Sequence, residues 1–303
     1  MLMNKVDEYL ALRRAAGYAL EVPEYHLRNF ARFATERGET FICASTVIEW
    51  ASHTPSLNHR EHRLQVVRRF ARYLQAEEPR HEIPPKGVFR CRRTRPVPHI
   101  WSPQQVVYLL QAAARLGPQD SLRPHVYSTL LALLHVTGLR ISEALALEFD
   151  DFDGDTLLIR ETKFKKCRRI PLHQTAATGL RRYLDLRRHV ATESKHLFIS
   201  VRGQPLDRFS VNWAFRRLLQ TIDLTIGSNG RRPRIHDLRH SFATRALETC
   251  PEGRDNIGRH MLALSTYLGH AHISDTYWYL EATSTLMKDI ASCCESFVQG
   301  GVR

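Results

Sequence analysis

The sequence predicts a mainly α-helical protein with a small β-sheet, in two domains joined by a basic linker. Three observations predict it. Apolar residues recur at helical spacing through residues 1–76 and again through most of 102–303. Two short β-prone segments, TLLIR at 156–160 and CRRIPL at 167–172, flank the basic turn TKFKK. Between 77 and 101 the periodicity vanishes, and EEPRHEIPPKGVFRCRRTRPVPHIW holds five prolines. Proline removes an N–H donor and disfavours helix before it. The chain's 303 residues suffice for two compact domains, expected at 1–76 and 102–303 with 77–101 as the linker.

The first domain reads as four helices. Residues 3–16 place Val6, Leu10 and Leu12 on a helical period. Residues 24–38 carry Leu27, Phe30, Phe33 and Ala34, and 45–53 carry Val47, Ile48 and Trp50 with Thr46 as an N-cap candidate. Residues 57–76 put Leu64, Val67, Ala71 and Leu74 on one face and Arg60, Arg68 and Arg72 on another. That arginine stripe fits a solvated face or a track for phosphates equally well. The second domain opens at Ser102, an N-cap candidate with Pro103 at the first helical position. An apolar helix follows at 123–137, stopped by Thr137-Gly138, then a short helix EALAL capped by Ser142. After the hairpin, His196–Ser200 is a candidate third strand, and helices are expected at 173–189, 207–222, 236–249, 256–268, 273–281 and 284–298.

Composition narrows the partner. Hydrophobic residues are 43% and charged residues 25%, ordinary for a globular chain, and no run of about 18 apolar residues suggests a membrane span. The N-terminus reads as an amphipathic helix and not a signal peptide. The net charge of +13 favours a polyanion, and Lys86, Arg90, Arg92, Arg93 and Arg95 cluster in a stretch without an acid. Nucleic acid is the expected partner, ahead of a membrane, because this stretch carries no amphipathic helix with a large apolar face. Cys43, Cys91, Cys167, Cys250, Cys293 and Cys294 form no CxxC pair and no zinc spacing, so reduced thiols in a cytoplasmic protein are expected. His270 and His272 alone make a weak metal signal.

Breaking a DNA phosphodiester without a metal needs a nucleophile, cations for the non-bridging oxygens and an acid for the leaving oxygen. Arginine suits the clamp through its planar, permanently charged fork, and tyrosine suits reversible covalent catalysis. The chain carries such a set. TGLRISE places Arg140 at a helix junction, and IHDLRHS places His236 and Arg239 three apart, on one helical face. LGH ends with His270, and Tyr279 follows nine residues later in SDTYWYLEA. Tyr277 competes, but on a helix the two tyrosines point about 200° apart. Spacing favours Tyr279 and leaves Tyr277 as a packing residue. Singly, each arginine fits a structural ion pair with Glu143 or Asp237, and each histidine fits a core position; jointly, order and spacing favour the functional set.

Arg140 in TGLRISEAL, HDLRH, LGH and the tyrosine nine residues past it together resemble the tyrosine recombinase and phage integrase family, over about residues 102–285. The helical 1–100 region is similar to that family's core-binding domain. The resemblance implies a helical core-binding (DNA-binding) domain plus a catalytic domain with a C-terminal helical tail, closing as a C-shaped clamp on double-stranded DNA. It implies Arg140 and Arg239 as phosphate-binding arginines, and His236 as acid/base and phosphate ligand. His270 matches the second His-or-Trp position, and Tyr279 the nucleophile. Lys163 matches the hairpin lysine expected to act as general acid, although Lys165 and Lys166 share the turn and more than one lysine can reach. Glu143 is read as a partner that positions a catalytic side chain. Arg68, Arg72, Lys86, Arg92, Arg93, Arg95, Lys165 and Lys166 are expected DNA contacts.

The implied reaction is strand exchange through a 3′-phosphotyrosyl bond and a Holliday junction, with no metal or other cofactor, in a homotetramer on synapsed sites. Cytoplasmic, nucleoid-associated work in DNA integration, excision or transposition follows from the same resemblance. A type IB topoisomerase-like enzyme and an inactive DNA-binding accessory protein are the rival readings.

Overall fold

The computed structural model describes residues 2–90, 97–160, 167–227, 230–249, 254–270 and 272–279. The chain divides into two compact units, Met1–Arg95 and Pro96–Arg303.

The first unit contains α1 (Leu2–Ala15), α2 (Glu21–Glu36), α3 (Ala44–Ser52) and α4 (Leu57–Gln75). Each puts one apolar stripe into a common core of Val6, Leu10, Leu27, Phe30, Val47, Trp50, Leu64, Val67, Phe70 and Leu74. Burying each large side chain contributes about 1.5–3 kcal/mol, which outweighs the modest propensity of short helices. The Trp50 indole N–H donates to Asn29 Oδ1 at 2.8 Å, so the largest core side chain leaves no polar group unpaired. Leu12, expected inside, is 54% exposed; Leu2 and Tyr9 take the core positions with Val6 and Leu10. Thr46 does not cap α3, which starts earlier behind Cys43; its hydroxyl bonds Glu39 instead.

In the second unit, α5 (Pro103–Ala113) starts with the expected cap: Ser102 Oγ accepts from Gln105 N–H, and the Gln105 side chain returns the bond. The central helix α6 (Arg123–Thr137) buries Leu130, Leu131, Leu133 and Leu134 and packs against α5, α8 (Gln174–Arg188) and α10 (His236–Glu248). Between them run α7 (Ile141–Leu145), a 3₁₀ turn at Phe149–Asp151, strands β1 (Thr156–Ile159) and β2 (Arg168–Pro171), and later α9 (Arg208–Thr221). The strands pair antiparallel with Leu157 opposite Ile170 and Ile159 opposite Arg168. Alternation puts Leu157, Ile159 and Ile170 inward, with Arg168 on Ile170's side. Two more helices, α11 (Arg254–Leu268) and α12 (Ser274–Tyr277), lie beside α10 over a separate cluster of Ala243, Leu247, Met261, Leu264, Leu268 and Tyr279.

The expected third strand does not form. Residues 196–200 make only bridges, because Leu197 N–H bonds Leu147 and the rest closes a tight turn with Gln204 and Leu206. Ser142 is not the cap of α7; Arg140 occupies that position in extended conformation, and its N–H donates to the Glu143 carboxylate at 3.0 Å. The helix expected at 284–298 lies outside the described residues. Among the described residues, no helix is long and apolar enough to cross a membrane.

Candidate active site

The site is built where α6, α7, α10, α11 and α12 end or begin. Gly138 closes α6 in left-handed conformation at φ +61, and a Cβ there would lie 2.5 Å from the Phe242 ring. Only glycine meets both demands. The turn aims Arg140 across to the end of α11. Its Nη1 donates to the Leu268 carbonyl at 3.4 Å and its Nη2 to the Gly269 carbonyl at 3.2 Å. Arg239, on α10 and 2% exposed, donates from Nη2 to the same Leu268 carbonyl at 2.8 Å and from Nη1 to the Gly138 carbonyl at 2.6 Å. Two guanidiniums from distant parts of the chain therefore converge on one turn. Helix C-terminal carbonyls carry partial negative charge, which suits them to hold cations side by side.

The α10 helix is itself anchored. Ser241 Oγ accepts from Trp101 N–H at 2.8 Å and donates to the Asp237 carbonyl at 2.9 Å, while Arg245 Nη2 donates to the Trp101 carbonyl at 2.7 Å. Asp237 accepts from Arg234, backbone and side chain, so Arg239 is not held by a carboxylate on its own helix.

The imidazoles follow from the guanidiniums. Arg239 Nη2 donates to His270 Nε2 at 3.0 Å, so that nitrogen is the acceptor and Nδ1 carries the hydrogen, donated to Thr276 Oγ1 at 2.7 Å. Burial first, then Arg239 and Arg140, push the His270 pKa down to about 4. His236 begins α10 at the surface; burial of part of its ring, followed by Arg239 and Arg234, lowers it to about 4. His240, the second histidine of HDLRH, is 7% exposed with its Nδ1 buried and unpartnered, and burial followed by His236 brings it to about 3. All three are neutral at neutral pH. An anion placed among them would raise these values and turn the rings into donors.

Tyr279 is 3% exposed, stacked on His270 at 5.9 Å between centroids and tilted against His240 at 5.4 Å. Its phenol lies close enough to Arg239 to act on that charge. Tyr277, expected to pack, is 52% exposed. α12 ends at Tyr277, and the inward side belongs to Tyr279. Attack on an external phosphate needs the phenol to emerge from this packing.

The fold thus brings Arg140, Glu143, Arg239, His270 and Tyr279 together, with His236 at the rim. Glu143, 8% exposed, accepts from Arg140 Nη1 at 2.8 Å and from Arg168 at 3.1 and 2.8 Å. Burial pushes its pKa up, but Arg168 and the Arg140 N–H outweigh that and the net shift is downward. Lys163, Lys165, Lys166, Arg92, Arg93 and Arg95 lie outside the described residues. In the first unit Arg68 donates its Nε to the Pro84 carbonyl at 2.7 Å, while Arg72 and Lys86 are exposed. Sequence reasoning missed the Leu268 and Gly269 carbonyls, Thr276, His240 and the weight of Arg168. Strand alternation held a signal for the last: Arg168 shares a side with buried Ile170, an unusual place for a cation without a partner. Among the described residues no three His, Cys, Asp or Glu side chains are grouped to hold a metal ion.

The chain is similar to known proteins over most of its length. The family model described as the phage integrase family matches residues 101–285. A protein named integrase/recombinase y4rB from Sinorhizobium fredii is 39% identical over 295 residues, covering 94% of both chains. Tyrosine recombinase XerC of Mycobacterium bovis is 30% identical, covering 92% of this chain and 93% of its own. In structure the chain resembles a lambda integrase dimer bound to a core site, with a TM-score of 0.64 at 17% identity over 94% of this chain and 96% of that one. A transposon Tn1549 integrase in complex with transposon right-end DNA has a TM-score of 0.62 at 17% identity, over 95% and 99%. At such identities the structural likeness is one of fold.

Proposed function

The chain belongs to the phage integrase family and is a tyrosine-type site-specific recombinase, and from that premise we propose that Tyr279 cuts and rejoins DNA with Arg140, Arg239, His236 and His270 around the scissile phosphate. The observation that carries this reading is the convergence of Arg140 and Arg239 on the Leu268–Gly269 carbonyls, beside His270 and Tyr279. The Tyr279 oxygen attacks phosphorus as its phenol proton passes to the neutral His236 ring, and the bond to the 5′ oxygen breaks. Lys163 supplies the proton that leaves with the 5′ hydroxyl. The two guanidiniums neutralise charge on the non-bridging oxygens as it builds. The phosphotyrosyl ester keeps the bond energy, so the 5′ hydroxyl of a partner duplex attacks it, giving its proton to Lys163 while His236 returns one to the leaving phenolate, which restores the phosphodiester and frees Tyr279.

The double-stranded partner is supported by the charge of +13 and by relatives solved on DNA. A lambda integrase tetramer solved on a Holliday junction supports four copies acting on two synapsed sites. The transposon integrase and the integrase/recombinase relatives support work on a mobile element.

A nicked suicide duplex tests the assignment. Wild-type protein should give a covalent adduct on a denaturing gel, Tyr277→Phe should keep it, and Tyr279→Phe should lose it while still binding DNA. An adduct from Tyr279→Phe overturns the nucleophile. Junctions formed between two duplexes separate exchange from simple relaxation of one.

A further inference from the structure

Glu143 is a carboxylate whose side chain is 6% exposed, shared by two arginines. Arg168 takes the larger share, with parallel bonds from Nη1 to Oε1 at 3.1 Å and Nη2 to Oε2 at 2.8 Å. Arg140 gives one side-chain bond, Nη1 to Oε1 at 2.8 Å, and its backbone N–H to Oε2 at 3.0 Å. The third arm of Arg168, Nε, donates to the Tyr267 carbonyl at 2.9 Å. Tyr267 immediately precedes the two carbonyls that hold Arg140 and Arg239. Gly269, at φ +67, passes so close that a Cβ would lie 2.7 Å from Arg168 Nη1. Arg168 therefore fills the space beneath the turn, and β2 carries it there.

We infer that Arg168 is a positioning residue for strand cleavage: by taking the bidentate share of Glu143 it keeps Arg140 open toward the scissile phosphate. The inference rests on the role given to Arg140 above. Charge arithmetic supports it. Two guanidiniums and one carboxylate leave one positive charge for the phosphate, whereas Arg140 and Glu143 alone would cancel. A buried carboxylate deprived of two donors recruits whatever cation is near. Arg140 is already bonded to it through Nη1, and turning its guanidinium would close a fork with Glu143. In that fork Nη2 leaves the Gly269 carbonyl and the phosphate site. Arg168 also ties β2 to the α11 end through the Tyr267 carbonyl.

Single-turnover cleavage of the suicide duplex at saturating protein, by Arg168→Ala, Glu143→Gln and the double variant, tests this. Arg168→Ala should be slower by about 10²-fold, as for removal of one preorganised group, with DNA binding retained. Adding Glu143→Gln should restore at least about tenfold, because no carboxylate then remains to capture Arg140. Arg168→Lys should lie between, since a point charge neutralises but cannot fork. A double variant as slow as the product of the two single effects, or slower, overturns the inference. Should Arg168→Ala not fold, Arg168→Met keeps the buried stem and carries the same comparison; misfolding that Glu143→Gln does not cure assigns Arg168 to fold support alone and equally overturns it. The Tyr279→Phe control keeps the two levels apart. An adduct there sinks the reading of the site, whereas its absence there without Glu143→Gln rescue sinks only the role of Arg168.

Discussion

Tyr279 is both the proposed nucleophile and a core residue, and these two properties separate on substitution. Its ring packs on His240 and His270, while its hydroxyl reaches toward Arg239. Tyr279→Phe should therefore melt within a few degrees of wild type. Tyr279→Ala should be destabilised by about 3 kcal/mol or more, since it leaves a cavity in the Leu247–Leu264 cluster. Chemical denaturation reads both; equal destabilisation would place the tyrosine's weight on its hydroxyl. The histidines make a second prediction at this scale. His240 titrates at about 3, and His26, His135 and His270 at about 4, against 6.5 when unfolded. Between these values the unfolded chain holds more protons, so stability is full above about pH 6.5 and falls as pH drops toward 4. Each unit of depression in a buried ring is worth about 1.4 kcal/mol at most. The denaturation midpoint should fall steadily over that window, and His240→Phe should flatten part of the slope. A midpoint unchanged from pH 7 to 4.5 would refute buried neutral imidazoles.

Two elements decide how the groups meet. The β1–β2 pair places Arg168 inward, and Lys163, Lys165 and Lys166 lie in the sequence between the two strands. If Lys163 protonates the 5′ oxygen, Lys163→Ala should cleave normal DNA roughly 10²–10⁴-fold more slowly. A bridging 5′-phosphorothiolate, whose leaving group needs no proton, should recover most of that rate. Arg140→Ala should stay slow on both substrates. Rescue seen only for Lys165→Ala or Lys166→Ala would move the acid along the turn, and rescue in none would transfer it to His236. The second element, α10, is gripped through both backbone groups of Trp101 by Ser241 and Arg245. The grip lies where the 77–101 segment enters the second unit, on the helix that carries His236 and Arg239.

At the scale of the molecule, the excess of 44 basic over 31 acidic residues sets the affinity for any duplex. Replacing Arg92, Arg93 and Arg95 together with Ala should weaken binding to specific and random DNA alike. The slope of log affinity against log salt should drop by about 0.9 for each phosphate no longer neutralised. Weakening confined to the specific site, with the slope intact, would make the segment a base reader. In the first unit, Arg68 already bonds the Pro84 carbonyl, while Arg72 and Lys86 are exposed. Arg72→Ala and Lys86→Ala should therefore change the slope more than Arg68→Ala, whose effect should show in stability.

The sequence by itself determined the mainly helical class and nearly every helix among the described residues, and it singled out Arg140, Glu143, Arg239, His270 and Tyr279, which the fold brings together. Periodicity and caps are local, so Leu64, Val67, Ala71 and Leu74 on α4, or Ser102 before α5, announce themselves within a few residues. The motif residues were legible because their order and spacing are linear properties. Only the tertiary structure decided which tyrosine turns inward, because burial of Tyr279 and exposure of Tyr277 depend on α10 and the LGH turn beside them. It also decided that 196–200 is not a strand, since its hydrogen bonds go to Leu147 and to its own turn. The Leu268 and Gly269 carbonyls could not be read in advance, because backbone acceptors have no letter in a sequence. Arg168 meets Glu143 across 25 residues and Arg239 meets His270 across 31. Contacts at that separation are set by how helices and strands pack, and no local pattern encodes them.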